Sequence, residues 1–271
     1  MSRTLKRALA AAALLLLGGI LLAFAAAPGA DGRLQLGAKQ PFLKGSYLAY
    51  AQPWGGEQIA LLRWWSRRAD TISVDAARFP ANTTMSWRWP PFRPPNSDVG
   101  VWAYDLVAFG NYDDGEVEKP IPPRRIDAIR ELRQRFAWRM TDGIGDANVL
   151  TEFYLRSNPR QPDSKVLEIG WFLHVPEASA EFARKSRQIG VFTDPQRRRW
   201  RVALEGTYCM IQPADGRDVA TGELDMLAAV RWLKGKGLVK GDEWFTGIAI
   251  GAEPMSGVGS LHLDRWSVTY R

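Results

Sequence analysis

Cysteine is nearly absent. Cys209 is the one thiol among 271 residues, so no disulfide can close within the chain. Set in Thr-Tyr-Cys-Met-Ile, it reads as a small core hydrophobe, because nothing nearby would hold it as a thiolate. Histidine is scarce as well, with only His174 and His262. No His/Cys cluster has metal-ligand spacing, which argues against zinc chemistry; no metal or cofactor is implied. His174 is expected at an exposed strand end. A Ser-His-Asp triad has no Gly-x-Ser-x-Gly elbow to support it. Internal repeats and low-complexity linkers are missing. The Pro-rich stretch Pro90-Pro91-Phe92-Arg93-Pro94-Pro95 therefore reads as a surface loop inside one domain. Charge of one sign does not accumulate either. The formal charge is +7, and setting aside Arg3, Lys6 and Arg7 of the leader leaves +4. That balance is too mild for nucleic acid, and Arg197-Arg198-Arg199 reads as a solvated turn.

What is present is apolar and aromatic. Hydrophobic residues make up 46% of the chain, enough for a packed core and against disorder. Tryptophan occurs twelve times. Most of these are expected in the core, with two or three left to stack on the flat C–H faces of a sugar.

Residues 1–30 have a basic start followed by an apolar run from Ala8 to Ala27. Ala23-Phe24-Ala25 offers a small-x-small cleavage site, the layout of a signal peptide. The alternative is an uncleaved N-terminal anchor. Either way residues 31–271 are expected across the membrane from the cytoplasm: periplasmic, secreted, or attached to the inner membrane through the leader.

The mature chain is rich in short alternating segments separated by turn residues. They include Gln58–Trp65, Thr84–Trp89, Gly100–Phe109, Asn148–Leu155, Val166–Val175, Trp200–Leu204, Trp244–Glu253 and Ser260–Tyr270. Many short strands at this spacing predict an all-β sandwich or barrel. One segment, Gly222–Lys234, carries a helical apolar stripe. Arg125–Arg135 has helical spacing but is charged and short.

Two strands carry carboxylates in unusual company. In Val166–Leu173, Leu167, Ile169, Trp171 and Leu173 share one face, and Glu168, Gly170 and Phe172 share the other. In Thr246–Pro254, Ile248, Ile250 and Ala252 form the core face. Gly247, Ala249, Gly251 and Glu253 form an opposite face stripped of bulk, as though a sugar chain or a loop packs there. An acid within an apolar strand is costly unless it is paired or used. Two acids on one face, one neutral and one ionised, are the minimum for glycoside cleavage.

These residues resemble glycoside hydrolase family 12, the small endoglucanases and xyloglucanases. Pro53-Trp54-Gly55 is similar to the family's early Trp-Gly strand, and Ser86-Trp87-Arg88-Trp89 to its Trp-x-Trp strand, followed by the Tyr strand at Tyr104. Thr151-Glu152-Phe153-Tyr154 stands in the place of its Tyr-Asp strand. Glu168 through Leu173 resembles the nucleophile strand, and Gly251 through Gly257 the acid/base motif. The resemblance implies a concanavalin-like β-jelly-roll sandwich of two antiparallel sheets with one short helix. It implies a retaining, endo-acting hydrolase of a β-1,4-linked glucan, monomeric, with Glu168 as nucleophile and Glu253 as acid/base, roughly 5–5.5 Å apart. Glu152 would hydrogen-bond the nucleophile. Trp54, Gly170 and Phe172 would line the substrate groove, with Trp54 on its non-reducing side; Trp89, which shares a strand face with Trp87, reads either as a further sugar platform or as part of a core seam. Three departures stand out. Gly170 and Phe172 replace a Met and a Trp, the first enlarging the cleft beside the nucleophile; Glu152 is one methylene longer than the usual Asp; Gln52-Pro53 replaces an Asn pair. A non-catalytic glycan-binding envelope protein on the same fold is the alternative, as is a transglycosylase remodelling exopolysaccharide.

Overall fold

The computed structural model describes residues 32–59, 62–95, 100–113 and 120–271. The expected leader, residues 1–30, lies outside them. Leu34–Arg271 forms one compact unit. Its early strands are β1 (Leu34–Gly37), β2 (Phe42–Lys44), β3 (Tyr47–Pro53), β4 (Asp70–Val74), β5 (Thr83–Arg88) and β6 (Ala103–Gly110). The middle strands are β7 (Arg124–Arg125), β8 (Leu132–Ile144), β9 (Ala147–Arg156), β10 (Lys165–His174), β11 (Arg187–Thr193) and β12 (Arg199–Glu205). The last are β13 (Tyr208–Pro213), β14 (Thr221–Asp225), β15 (Trp244–Phe245), β16 (Gly247–Pro254) and β17 (Val258–Tyr270). The α-helices are α1 (Arg63–Ser66), α2 (Glu177–Lys185) and α3 (Met226–Gly235).

Two sheets pack face to face as a β-jelly-roll sandwich. The first runs β1-β4-β5-β17-β8-β14, and the second β11-β12-β13-β10-β9-β16-β6-β3-β2. Period-two alternation divides each strand of the second sheet between the core and the opposite face. Ile169 and Trp171 of β10, and Ile248, Ile250 and Ala252 of β16, enter the core. Ala249 of β16 and Phe172 of β10 join a separate apolar cluster on the opposite face, with Tyr104, Leu150 and Met210. The core itself holds close aromatic pairs: Trp171 meets Trp200 edge-on at 5.1 Å, and Trp89 stacks face to face on Trp102 at 5.0 Å.

Several expectations are corrected. The Gly222–Lys234 helix begins only at Met226, because Thr221–Asp225 pairs with β8 as a strand. Asp225 then caps α3, its carboxylate accepting from the Ala228 amide at 2.9 Å, an ordinary N-cap. Gln58–Trp65 holds no strand; a 3-10 turn at Gly55–Gln58 and the single-turn α1 occupy it. Arg125–Arg135, whose helical spacing carried no helix expectation, forms a 3-10 turn, Ile126–Ala128, and the start of β8. The sheets are not wholly antiparallel, since β10 and β13 run parallel. A second multi-turn helix, α2, stands beside the expected one.

The first sheet and the second also meet at two buried acids. Asp70 of β4 and Asp105 of β6 are both fully buried. Trp89 Nε1 donates to Asp70 Oδ1 at 2.8 Å. Both oxygens of Asp105, and Oδ2 of Asp70, have no other donor. Burial favours the protonated form of both carboxyls, pushing Asp70 up to about 8 and Asp105 well above the usual carboxylate range, with Asp105 donating to Asp70. Asp105 is therefore a core residue and not part of a cleft.

Candidate active site

A cleft of about 210 Å³ crosses the outer face of the second sheet, from β3 to β13. Its lining includes Trp54, Glu152, Glu168, Phe172 and Glu253. The sheet order sets this convergence: β10, β9 and β16 are consecutive neighbours. On β9, Glu152 stands opposite Gly170 of β10 and opposite Ala249 of β16. Glu168 stands opposite Tyr154, and Glu253 opposite Asn148. Residues 148, 150, 152 and 154 of β9 share one face by period two, so that face carries Asn148, Glu152 and Tyr154 into the cleft between the two flanking acids.

The three glutamates differ in their surroundings. Burial, then the charge of Glu168 and a hydrogen bond to it, raise Glu152 well above the usual carboxylate range; Glu253 adds to the rise and a hydrogen bond from Tyr112 opposes it. Glu152 is the more buried partner, so it holds the proton and donates it to Glu168. Burial also raises Glu168, but the Glu152 hydrogen bond and the charge of Lys165 pull it back down. Glu253 is pushed up to about 7 by burial, against a hydrogen bond from Asn148 and with the charge of Glu168 adding to the rise. The two flanking acids are thus tuned differently: burial raises both, the Glu152 hydrogen bond and Lys165 hold Glu168 back, and Glu253 rises to about 7, the kind of split that paired carboxyl chemistry uses.

Four tyrosines surround the acids. Tyr104, Tyr112, Tyr154 and Tyr208 all line the cleft, and Tyr112 packs on Tyr104 at 6.0 Å and on Tyr154 at 5.5 Å. Lys165, paired with Asp113, lies over the Tyr154 ring at 4.0 Å. Burial raises every one of these phenols, so they remain neutral donors. Of this group, Tyr104 and Tyr154 each stand in a strand matched from the sequence, with no role in the cleft expected of either. Tyr154 and Asn148 share the Glu152 face of β9, a signal that alternation alone carried.

Gly170 is backed by Tyr208. A Cβ at Gly170 would lie 2.6 Å from the Tyr208 hydroxyl. The expected enlargement beside Glu168 is therefore corrected: the Tyr208 side chain fills that space from β13. The glycines of β16 are likewise occupied by protein. A Cβ on Gly247 would strike the Asn111–Tyr112 backbone, and one on Gly251 the Asp105 carbonyl. Trp89 does not line the cleft. It is 4% exposed in the core, against Trp102 and Asp70, because the face of β5 that it continues points between the sheets. Trp54 is half-buried and lines the β3 end. His174 ends β10 and pairs with Asp218 at 2.8 Å.

The chain is an all-β sandwich with three carboxyls gathered in a tyrosine-walled cleft. No family model matches the chain, and no curated protein does. Solved structures match over most of the chain. The family 12 xyloglucanase from Bacillus licheniformis aligns with a TM-score of 0.68 at 15% identity, covering 88% of this chain and 100% of its own. Endoglucanase 3 of Trichoderma harzianum, from family GH12, aligns at 0.66 and 17%, covering 90% and 100%. The xyloglucanase domain of NopAA from Sinorhizobium fredii, in complex with cellobiose, aligns at 0.58 and 19%, covering 88% and 99%. The chain has the fold of the family 12 glycoside hydrolases.

Proposed function

We propose that the chain is a retaining, endo-acting glycoside hydrolase that cleaves a β-1,4-linked glucan such as cellulose, xyloglucan or mixed-linkage glucan. The observation that carries this reading is the convergence of Glu168 and Glu253 in one cleft, on the strands either side of β9, with Glu253 raised by burial to about 7 and Glu168 hydrogen-bonded by Glu152. Glu168 attacks the anomeric carbon while Glu253 gives its proton to the departing glycosidic oxygen. Glu253, now ionised, takes a proton from water, and the resulting nucleophile displaces Glu168 from the sugar. The starting state of both glutamates is restored. The names of the fold neighbours, two xyloglucanases and an endoglucanase, favour a β-glucan over other polymers. Trp54 supplies a stacking surface at one end of the cleft. The leader-like N-terminus favours a periplasmic or secreted site of action, as a monomer or attached to the inner membrane.

The test is release of reducing ends from soluble xyloglucan, mixed-linkage glucan and a cellulose derivative, with the product anomer followed by NMR. Wild type is expected to release the β-anomer first, and Glu168→Gln to lose activity on the order of a thousandfold or more. If no polymer is cut and Glu168→Gln binds glucan as wild type does, the chain is a glycan-binding protein and the hydrolase reading fails.

A further inference from the structure

Helix α2, inserted between β10 and β11, lends the cleft two side chains, Ser179 and Phe182. Ser179 is in its first turn and is 9% exposed. Its Oγ donates to Asn148 Oδ1 at 2.7 Å. Asn148, 4% exposed, donates from Nδ2 to Glu253 Oε2 at 2.9 Å. The carbonyl of Ser179 accepts from Gln212 Nε2 of β13 at 3.4 Å, which ties the helix turn to the sheet beneath it. The Ser179 hydroxyl also lies 3.5 Å from Met255 Sδ.

A primary amide buried between two polar partners has two orientations, which exchange its donor and its acceptor. With Nδ2 toward Glu253, the amide fills a lone pair of Oε2 and leaves the acid's proton on Oε1. Turned over, the amide oxygen would face Oε2, repel the carboxylate, and retain the proton on Oε2 when the acid is neutral. The Ser179 hydroxyl favours the first orientation, because it finds a full acceptor in Oδ1. In the second its proton would have only the Met255 thioether, a weak acceptor.

We propose that Ser179 is a positioning residue that, acting through Asn148, keeps the proton of Glu253 on Oε1, the oxygen left free to meet the glycosidic oxygen. The assignment rests on the reading of Glu253 as the acid. It adds to that reading a helix outside the two acid-bearing strands, and a serine that no strand pattern singles out. The groups facing Glu253 are Glu152 of β9, Glu168 of β10, Tyr104 of β6 and Tyr208 of β13, whose interactions with it are electrostatic. None of these is touched by a change at Ser179. Losing the hydroxyl frees the amide to turn, so the carboxylate form of Glu253 loses part of its donor and its titration moves upward.

Ser179→Ala and Ser179→Thr are compared with wild type. Rates across pH give kcat and the alkaline limb of kcat/KM, and carboxyl ¹³C NMR gives the titration of Glu253 without turnover. Ser179→Ala is expected to lower kcat about three- to tenfold, as loss of one hydrogen bond would. Both the limb and the NMR titration should rise by about half a unit. Ser179→Thr, which keeps the hydroxyl, should restore both. If Ser179→Ala does not fold, Ser179→Cys, similar in size but a weak donor, takes its place. A Glu253 titration unchanged in the variant overturns the relay, whatever the activity. An upward shift in Ser179→Ala, alongside a wild type that cuts no glucan, keeps the relay and overturns the hydrolase reading alone.

Discussion

Gly170 and Tyr208 stand on neighbouring parallel strands and share one volume of the cleft, so neither can be understood from its own strand. A side chain at Gly170 must displace the Tyr208 hydroxyl, which lies 2.6 Å from the position of its first carbon. Gly170→Met is expected to destabilise the fold by about 1–3 kcal/mol, the usual cost of overpacking. It should also reduce glucan cleavage, because the displaced ring lies among the acids. In Gly170→Met/Tyr208→Ala the methionine enters the vacated space and most of the lost stability returns. Urea melts of the four proteins in the cycle measure this coupling, and strictly additive effects would reject the shared volume. The sequence of β10 placed Glu168, Gly170 and Phe172 on one face correctly. It could not show what stands over the glycine, because the β10–β13 pairing is parallel and joins segments that no local pattern links. Asn148 was legible in principle, two alternations from Glu152 on the same strand. Ser179 was not, since it reaches the site only through the docking of a helix.

Elements were legible where one periodicity held throughout, and obscure where it changed mid-segment. In β16 a clean alternation gave the core face correctly, Ile248, Ile250 and Ala252. At Thr221–Gly235 a strand runs directly into α3, and the apolar stripe of the helix was extended backward over residues that pair with β8. The Asp225 cap marked the true start. Gln58–Trp65 misled for another reason: its aromatic content mimics a strand, but the chain turns there and packs Trp65 Nε1 against the Arg88 carbonyl at 2.6 Å. Helix α2 was missed although Pro176 precedes it and alanines fill it. It is amphipathic, with Ser179 and Ala183 buried and Glu177, Arg184 and Lys185 outward. Phe182 is 37% exposed and lines the cleft, so its ring is available to a sugar. Phe182→Ala is expected to raise KM for the proposed glucans about three- to tenfold, the worth of one ring contact, with kcat nearly unchanged. Because the ring is partly exposed, the melting temperature should move little. Steady-state kinetics with long and short oligosaccharides checks this; a KM that stays at the wild-type value for all of them removes Phe182 from the binding surface.

Across the whole molecule, the acids that distinguish this sandwich are neutral in the fold and would ionise once released. Asp70 is held at about 8 against an ordinary 3.8, and Glu253 at about 7 against 4.5. Asp105 and Glu152 are displaced in the same direction. A carboxyl raised in the folded state binds its proton more tightly there than in the unfolded chain. Its contribution to stability is therefore complete below the unfolded value and is lost as pH rises toward the folded one. Each proton retained in that interval gives a slope of about 1.4 kcal/mol per pH unit. Asp75, Glu181 and Glu223 are shifted the other way by their hydrogen bonds to Asn82, Lys185 and Arg135. They act only below the ordinary carboxylate range, where their contribution fades as pH falls. Stability is thus expected to peak on the mildly acidic side and to decline steadily from about pH 5 to about pH 8, the interval these buried carboxyls span. Asp105→Asn removes one ionisable member of the pair between the sheets and replaces its carboxyl proton with an amide donor to Asp70. The decline should become shallower in that variant, while Glu253→Gln should flatten it by a separate, additive amount, since its site lies on the other face of the sheet. Chemical denaturation at a series of pH values measures all three slopes. A wild-type stability that climbs from mildly acidic to mildly alkaline pH would mean that these carboxyls are ionised in the fold, and the neutral pair joining the two sheets would have to be abandoned.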